Sequence, residues 1–241
     1  MKDKEASEFD RYAINYDEEL GKGLSLTGED KVYYVNGRIE WLSHQLKKFG
    51  LKPNKVLDFG CGVGSSSPIL LEKLGLDNVI GVDVSEKSLA EARRRYGSET
   101  VQFIRFDEFC PKENIDLVYC NGVFHHIPPE RRLWTVDFIY RSLRPDGIFA
   151  LWENNPWNLG TRLIMSRVAF DHDAVMLWPS QAKRLLIKCN FKIVNISYMF
   201  VFPKIMRMFR CVEPFISSIP FGGQYLVLGI KDSRKGQKGH D

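Results

Sequence analysis

Between residues 32 and 49 apolar positions recur at alternating steps of three and four. Val32, Val35, Ile39, Leu42, Leu46 and Phe49 form the stripe of one helix face. Thr27 with Asp30 three residues on reads as a capping box, and Gly50 followed by Pro53 marks the stop. From Lys55 the period changes. Short apolar runs at Lys55 to Phe59, Val79 to Val82, Val101 to Phe106, Ile115 to Tyr119 and Gly147 to Leu151 alternate with helical patterns at Ser66 to Leu74, Glu86 to Tyr96 and Glu130 to Leu143. Parallel strands need crossover connections, so this alternation predicts a doubly wound α/β domain with both sheet faces covered. After an irregular stretch come a short helix (Ser180 to Cys189), a strand (Phe191 to Phe202), another irregular piece and a final strand (Gln224 to Ile230).

Composition bounds this picture without altering it. The chain has 241 residues, 44% of them apolar and 27% charged, enough for one domain with a real core. No apolar run approaches the roughly 20 residues that cross a bilayer. Lys alternates with Asp and Glu at the N-terminus, where an export signal would be apolar. Cys61, Cys110, Cys120, Cys189 and Cys211 are scattered singly, which speaks against a zinc or disulfide framework and for a reducing, cytoplasmic setting. The expected division is an N-terminal cap and helix (1–50), a ligand-binding half (51–152), a lid with sheet completion (153–223), and a last strand with a disordered tail from Lys231 (224–241).

Charge is unevenly spread. Residues 1–30 hold four basic and nine acidic groups, whereas residues 151–241 hold thirteen basic and six acidic ones. Solvated surface and a basic tail account for much of this; the sharper reading is an anionic acceptor or an anionic membrane face near the C-terminal third.

The densest chemistry lies at Val56-Leu57-Asp58-Phe59-Gly60-Cys61-Gly62-Val63-Gly64, a strand running into a glycine-rich loop. Glycines serve where the backbone bends tightly and where a ligand must approach the main chain without a Cβ in the way. The third glycine follows the second by two residues, which departs from the G-x-G-x-x-G dinucleotide fingerprint. Asp58 would repel a pyrophosphate but suits a ligand with a cationic head. Asp83, ending the second strand, is placed to accept both ribose hydroxyls of a nucleoside.

With these residues in view, positions 55–152 resemble a class I S-adenosylmethionine-dependent methyltransferase of the small-molecule kind, similar to quinone-pathway enzymes. The resemblance implies a Rossmann-like, seven-stranded, mostly parallel sheet with an antiparallel last strand, an N-terminal helix and an acceptor-side lid. It assigns cofactor binding to Asp58, Gly60, Cys61, Gly62 and Gly64, ribose binding to Asp83 with Val84 beside it, and the adenine side to Asp107, for which adjacent Glu108 is an alternative. Asn121 would line the methionine side, and an aromatic at Tyr12 or Tyr16, with Tyr16 preferred, would cover the cofactor. S-adenosylmethionine would leave as S-adenosylhomocysteine, with no metal involved.

His125 and His126 stand where the family's site opens toward the acceptor, as a base or as positioning groups. A sulfonium is already an activated methyl donor, so holding the acceptor in line and excluding water can suffice. Asn154-Asn155-Pro156-Trp157 is similar to the clamp of DNA amino-methyltransferases but follows the wrong strand. It reads instead as the start of a lid whose Glu153, Asn154, Trp157, Arg162 and Asp171 are available to the acceptor. No appended nucleic-acid module is visible. Residues 199–220 interleave apolar side chains with Lys204, Arg207 and Arg210, either as an interfacial helix on anionic lipid at the inner membrane face or as packing beneath the lid.

The expected function is methyl transfer to a small molecule, at an oxygen of a glycan, lipid or quinone-like intermediate. The alternatives are RNA or protein methylation, or an accessory protein that binds the cofactor without turnover.

Overall fold

The computed structural model describes Asp10 and residues 16–232, with the backbone alone for residues 16–19. Helix α1 (Tyr16–Leu24) and a 3-10 turn lead into α2 (Lys31–Lys48). Asp30, not Thr27, caps α2 by accepting the Tyr33 N–H at 2.9 Å, while the Thr27 hydroxyl turns back to the Leu24 carbonyl. The expected box is thus a single cap placed three residues later. Val35, Ile39, Leu42 and Leu46 are buried as their spacing requires, whereas Val32 and Phe49, at the two ends, stay exposed.

Next come β1 (Lys55–Phe59), α3 (Ser67–Leu74), β2 (Asn78–Asp83), α4 (Glu86–Tyr96), β3 (Val101–Arg105), β4 (Ile115–Asn121), α5 (Pro129–Ser142) and β5 (Leu143–Asn154). The remainder is α6 (Leu159–Met165), α7 (Pro179–Lys188), β6 (Phe191–Met199), a 3-10 segment (Lys204–Val212), α8 (Glu213–Ile216) and β7 (Gln224–Lys231). The strand order is β3-β2-β1-β4-β5-β7-β6, and β7 runs antiparallel to both of its neighbours. The seven-stranded, mostly parallel sheet expected from the sequence is therefore the sheet observed. Leu57, Val118, Phe149 and Val227 belong to the core on one face of the sheet, and Val56, Leu117, Ala150 and Leu226 to the core on the other. This is the alternation a sheet covered on both sides imposes.

Several elements differ from the sequence reading, the following ones for local reasons. β5 begins four residues before Gly147, because the chain passes through Asp146 at φ 59° without leaving the sheet. β6 stops at Met199, and Phe200 turns the chain out at φ 64°. The stretch after β5 was expected to be irregular, but it contains α6 and a 3-10 turn (Ala169–Asp171). Lys231, assigned to the tail, is buried at the end of β7. Its Nζ donates to Glu113 at 2.7 Å and to the Leu143 and Tyr140 carbonyls at 2.8 and 3.0 Å. The rest of that tail from residue 233 lies outside the described residues.

Candidate active site

A cavity of about 1250 Å³ opens at the carboxyl ends of the parallel strands, the place where an open α/β sheet binds its ligands. One wall is the glycine loop. The N–H groups of Gly60 and Cys61 both donate to the Val82 carbonyl, at 2.8 and 3.0 Å, which ties the loop to β2. Gly60 has φ 72°, and a Cβ there would meet Val123 Cγ2 at 2.3 Å. Gly62, at φ 53°, has nothing within 4 Å of its missing Cβ and presents bare backbone to the cavity. Gly64 does not line the cavity; a Cβ there would strike Phe103 and Ala92 beneath the loop.

The acids take distinct stations. Asp58 is sealed at the cavity floor, where its Oδ2 accepts the Ser67 hydroxyl at 2.7 Å. Burial pushes its carboxyl up to about 7, against the opposing pull of that hydrogen bond. Asp83 accepts the Gly62 N–H at 2.8 Å and the Ser85 N–H at 2.9 Å, one on each oxygen, and burial raises its pKa. A carboxylate has about four lone-pair sites, so capacity remains on Asp83 for a hydroxyl. Asp107 stands at the cavity rim beside Phe106, paired with the Arg105 guanidinium at 3.0 and 3.1 Å. Asp10 accepts the Ser85 hydroxyl at 2.6 Å and also reaches the cavity.

Asn121 Oδ1, at the end of β4, is buried without a hydrogen-bond partner in the wall of this cavity. An orphaned acceptor costs about 1–3 kcal/mol unless something donates to it. The ammonium of an amino-acid ligand is such a donor. The unclad Gly62 backbone, the remaining acceptor capacity of Asp83 and this orphaned oxygen fit the methionine and ribose parts of S-adenosylmethionine. Val84 lines the same wall. The Tyr16 side chain and all of Tyr12 lie outside what the structure describes.

Beyond the cofactor wall the cavity reaches a polar cluster. Glu153 Oε1 accepts the Phe124 N–H at 2.7 Å, and Glu153 Oε2 lies 2.6 Å from His125 Nδ1. On the far side, Asp171 Oδ1 is 3.4 Å from His125 Nε2 and 3.3 Å from His126 Nε2. Burial alone would lower the His125 pKa, but the charges of Glu153 and Asp171 outweigh it and raise it to about 10. Burial and the neighbouring His125 lower that of His126. Burial opposes the ionised Asp171, yet the two imidazoles bring its carboxyl to about 2. The cluster is thus built around cation-favouring carboxylates.

The sequence expectation for the acceptor side divides here. Asn154 and Asp171 line the cavity, whereas Glu153 sits behind His125 and reaches no acceptor space. Trp157 is exposed and packs edge-on against Trp178, and Arg162 likewise lies off the cavity. Asn155 explains the Asn-Pro motif structurally. Fully buried, it donates through Nδ2 to the Pro220 and Gly222 carbonyls at 3.0 and 2.7 Å, pinning the lid to the approach of β7. Sequence reasoning passed over the aromatic pair Tyr34 and Phe200 in the cavity wall, whose rings lie 4.9 Å apart. It also passed over buried Arg38, held by Gln224 at 3.0 Å and Tyr119 at 3.3 Å. Tyr34 and Arg38 sit on the α2 pattern itself, where they read as ordinary helix positions.

The stretch from Met199 divides: Met199 and Phe200 pack against the core, whereas Lys204–Val212 does not. Ile205, Met208 and Phe215 are 91%, 76% and 86% exposed, and among Lys204–Val212 no residue is buried. The segment is held at its base instead, where buried Glu213 accepts the N–H groups of Phe200, Val201 and Phe202 at 3.0–3.1 Å.

Comparison with known proteins places the fold. Residues 56–147 match the family model of a methyltransferase domain. Among curated relatives, the trans-aconitate 2-methyltransferase of Rhodopseudomonas palustris (strain BisB5) is 30% identical over 121 residues, 50% of this chain and 46% of that protein. The chain thus spans under half the length of the first relatives it matches. That of Acidovorax sp. (strain JS42) is 26% identical over 189 residues, covering 70% of this chain and 72% of its own. Among solved structures, a SAM-dependent methyltransferase from Archaeoglobus fulgidus superposes with TM-score 0.57 at 19% identity, covering 80% of this chain and 94% of that one. The Burkholderia thailandensis 1,6-didemethyltoxoflavin-N1-methyltransferase, with bound 1,6-didemethyltoxoflavin and S-adenosylhomocysteine, gives 0.56 at 21%, covering 84% and 82%.

Proposed function

We propose, on the premise that residues 56–147 form a class I S-adenosylmethionine-dependent methyltransferase domain, that the whole protein is an active enzyme moving a methyl group to an oxygen of a small acceptor. The observation that carries this is the continuity of one cavity. Its lining includes the Gly60–Gly62 loop, Asp83 and Asn121 together with His125, His126 and Asp171 and the aromatic pair Tyr34 and Phe200. Donor and acceptor would share that volume without intervening protein. When bound, the cofactor supplies the activated methyl group.

The residues of this chain do the rest by position. Asp83 and the Gly62 backbone hold the nucleoside, and Asn121 fixes the amino-acid end. A glycan, lipid or quinone-like acceptor fits the mixture of aromatic and polar wall. The trans-aconitate named for the curated relatives represents a different, small acceptor. Calorimetry with S-adenosylhomocysteine, followed by transfer of labelled methyl to fractionated cell extract, tests the proposal. Binding with label in a small-molecule fraction is expected. Binding with no label anywhere would make the protein an accessory, and label in RNA or protein would move the acceptor class.

The exposed apolar and cationic side chains of residues 204–219 support a second element of this reading, peripheral contact with anionic lipid. No helix among the described residues is long and apolar enough to cross a membrane. Ile205, Met208 and Phe215 would enter the headgroup region with Lys204 and Arg207 beside them. Flotation with vesicles containing phosphatidylglycerol should carry the protein upward, and neutral vesicles should not.

A further inference from the structure

The polar cluster has the form of a metal centre. His125 Nε2, His126 Nε2 and one Asp171 oxygen converge within 4.8 Å of one another on the cavity wall. They come from two elements, the turn after β4 and the 3-10 turn at Ala169–Asp171. A transition metal holds imidazole nitrogen at about 2.0–2.1 Å and carboxylate oxygen at about 2.0–2.2 Å, so neighbouring ligand atoms of a tetrahedral site stand about 3.3–3.5 Å apart. The two histidine–aspartate separations, 3.4 and 3.3 Å, match that edge.

They do not match hydrogen bonds. Charge-assisted N–H···O contacts run about 2.7–2.9 Å. Asp171 Oδ1 is buried with no hydrogen-bond partner, and the Asp171 side chain is only 7% exposed. The same cluster contains a short contact for contrast, Glu153 to His125 Nδ1 at 2.6 Å. That contact is the other half of the argument. A metal-binding histidine gives its second ring N–H to a carboxylate, which fixes the tautomer and aims the free nitrogen at the ion. Glu153 does this for His125 and is itself held by the Phe124 N–H. Three inward-facing ligands and one carboxylate behind them are therefore in place.

We propose that His125, His126 and Asp171 bind one divalent transition-metal ion, with Glu153 as the supporting carboxylate, in place of the metal-free site expected from the sequence. Two imidazoles and one carboxylate suit zinc, cobalt, manganese or iron(II) over magnesium or calcium. The remaining coordination positions face the acceptor end of the cavity. This inference rests on the methyltransferase reading only for its consequence there. An acceptor hydroxyl docked at the ion is acidified and releases its proton to solvent; its oxygen then bonds to the methyl carbon as the carbon–sulfur bond breaks and the electron pair stays on sulfur. A hydroxyl acceptor is thereby favoured over an amine.

The test uses the full chain, stripped with chelator and titrated with Co²⁺. One equivalent is expected to bind with visible absorption bands of a four- or five-coordinate ion, and Zn²⁺ should displace it. H126A and D171N should each weaken binding at least 100-fold and E153Q 10- to 100-fold, while H172A, in an exposed His–Asp pair, should change nothing. Absence of stoichiometric cobalt, or cobalt that H126A leaves unaltered, would overturn the proposal. If H126A fails to fold, contact-shifted imidazole N–H signals of the cobalt wild type decide instead, two being expected and fewer being contrary. S-adenosylhomocysteine calorimetry on the same sample keeps the readings apart, since lost cofactor binding with retained cobalt counts against the methyltransferase assignment alone.

Discussion

Glu153 and His125 face each other at 2.6 Å with side-chain exposures of 0% and 3%, so their contact is buried behind the cavity wall. Removing the carboxylate leaves His125 Nδ1 and the Phe124 N–H without their partner in the same buried space. E153L is therefore expected to lose about 3 kcal/mol or more of unfolding free energy. E153Q, which keeps the shape and a hydrogen bond, should lose much less. Urea unfolding of the two variants checks this; equal stability of E153L and wild type would mean the pair is not buried as described.

The glycine loop offers a paired comparison. At Gly60 an alanine methyl must displace Val123, and the positive φ adds strain, so G60A should be destabilised by about 2 kcal/mol or more. At Gly62 the methyl meets no protein, and only the backbone cost of about 1 kcal/mol remains. That methyl instead stands where the cofactor would lie, and G62A should weaken S-adenosylhomocysteine at least tenfold in calorimetry. The two variants thus separate folding from binding within three residues.

Asp58 makes stability depend on pH in a defined direction. Its folded carboxyl keeps a proton up to about pH 7, whereas an unfolded aspartate releases it near its ordinary value of about 3.9. Between those limits the folded state binds more protons, so this group's contribution is full at low pH and is lost as pH rises through 7, at up to about 1.4 kcal/mol per unit. D58N has no such dependence. The stability of wild type relative to D58N should fall from pH 5 to pH 8, as read from denaturant midpoints at both values; a difference that is constant with pH would contradict the raised pKa.

The exposed segment before β7 should be separable from the fold. Ile205 and Phe215 are almost wholly exposed, so I205E/F215E should change unfolding free energy by less than about 0.5 kcal/mol each. If lipid contact is real, the same double variant abolishes flotation with anionic vesicles. Unchanged flotation would assign that contact elsewhere.

The cofactor side was legible in the sequence because its signals are local. A strand period, a glycine spacing and an acid at a strand end each fall within a few residues, and a parallel sheet covered on both faces follows from their alternation. The histidine cluster was not legible, because Glu153, His125 and Asp171 come from separate elements and meet only when β5 lies beside β4 and the lid folds back. Glu153 was read as acceptor-facing for the same reason, since strand alternation does not reveal that the cavity ends one residue short of it. Lys231 was misread on composition. A lysine among Gly, Gln and Ser resembles tail, yet its amine satisfies two main-chain carbonyls in the core. Residues 199–220 left packing and exposure open, because apolar content states what a surface is made of and not what covers it.

Met199 and Gln224 are register partners across β6 and β7, so residues 200–223 leave the sheet and return to it at neighbouring points. They form, in effect, one long hairpin connection anchored by the Glu213 carboxylate. The entropy of closing such a loop grows only logarithmically, about 0.6 kcal/mol for each doubling of length. Insertions and deletions here would be nearly free for the sheet while resizing the acceptor wall at Phe200. A change in the length of this one loop would therefore reshape the cavity at Phe200 while leaving the strands that carry Asp83 and Asn121 untouched.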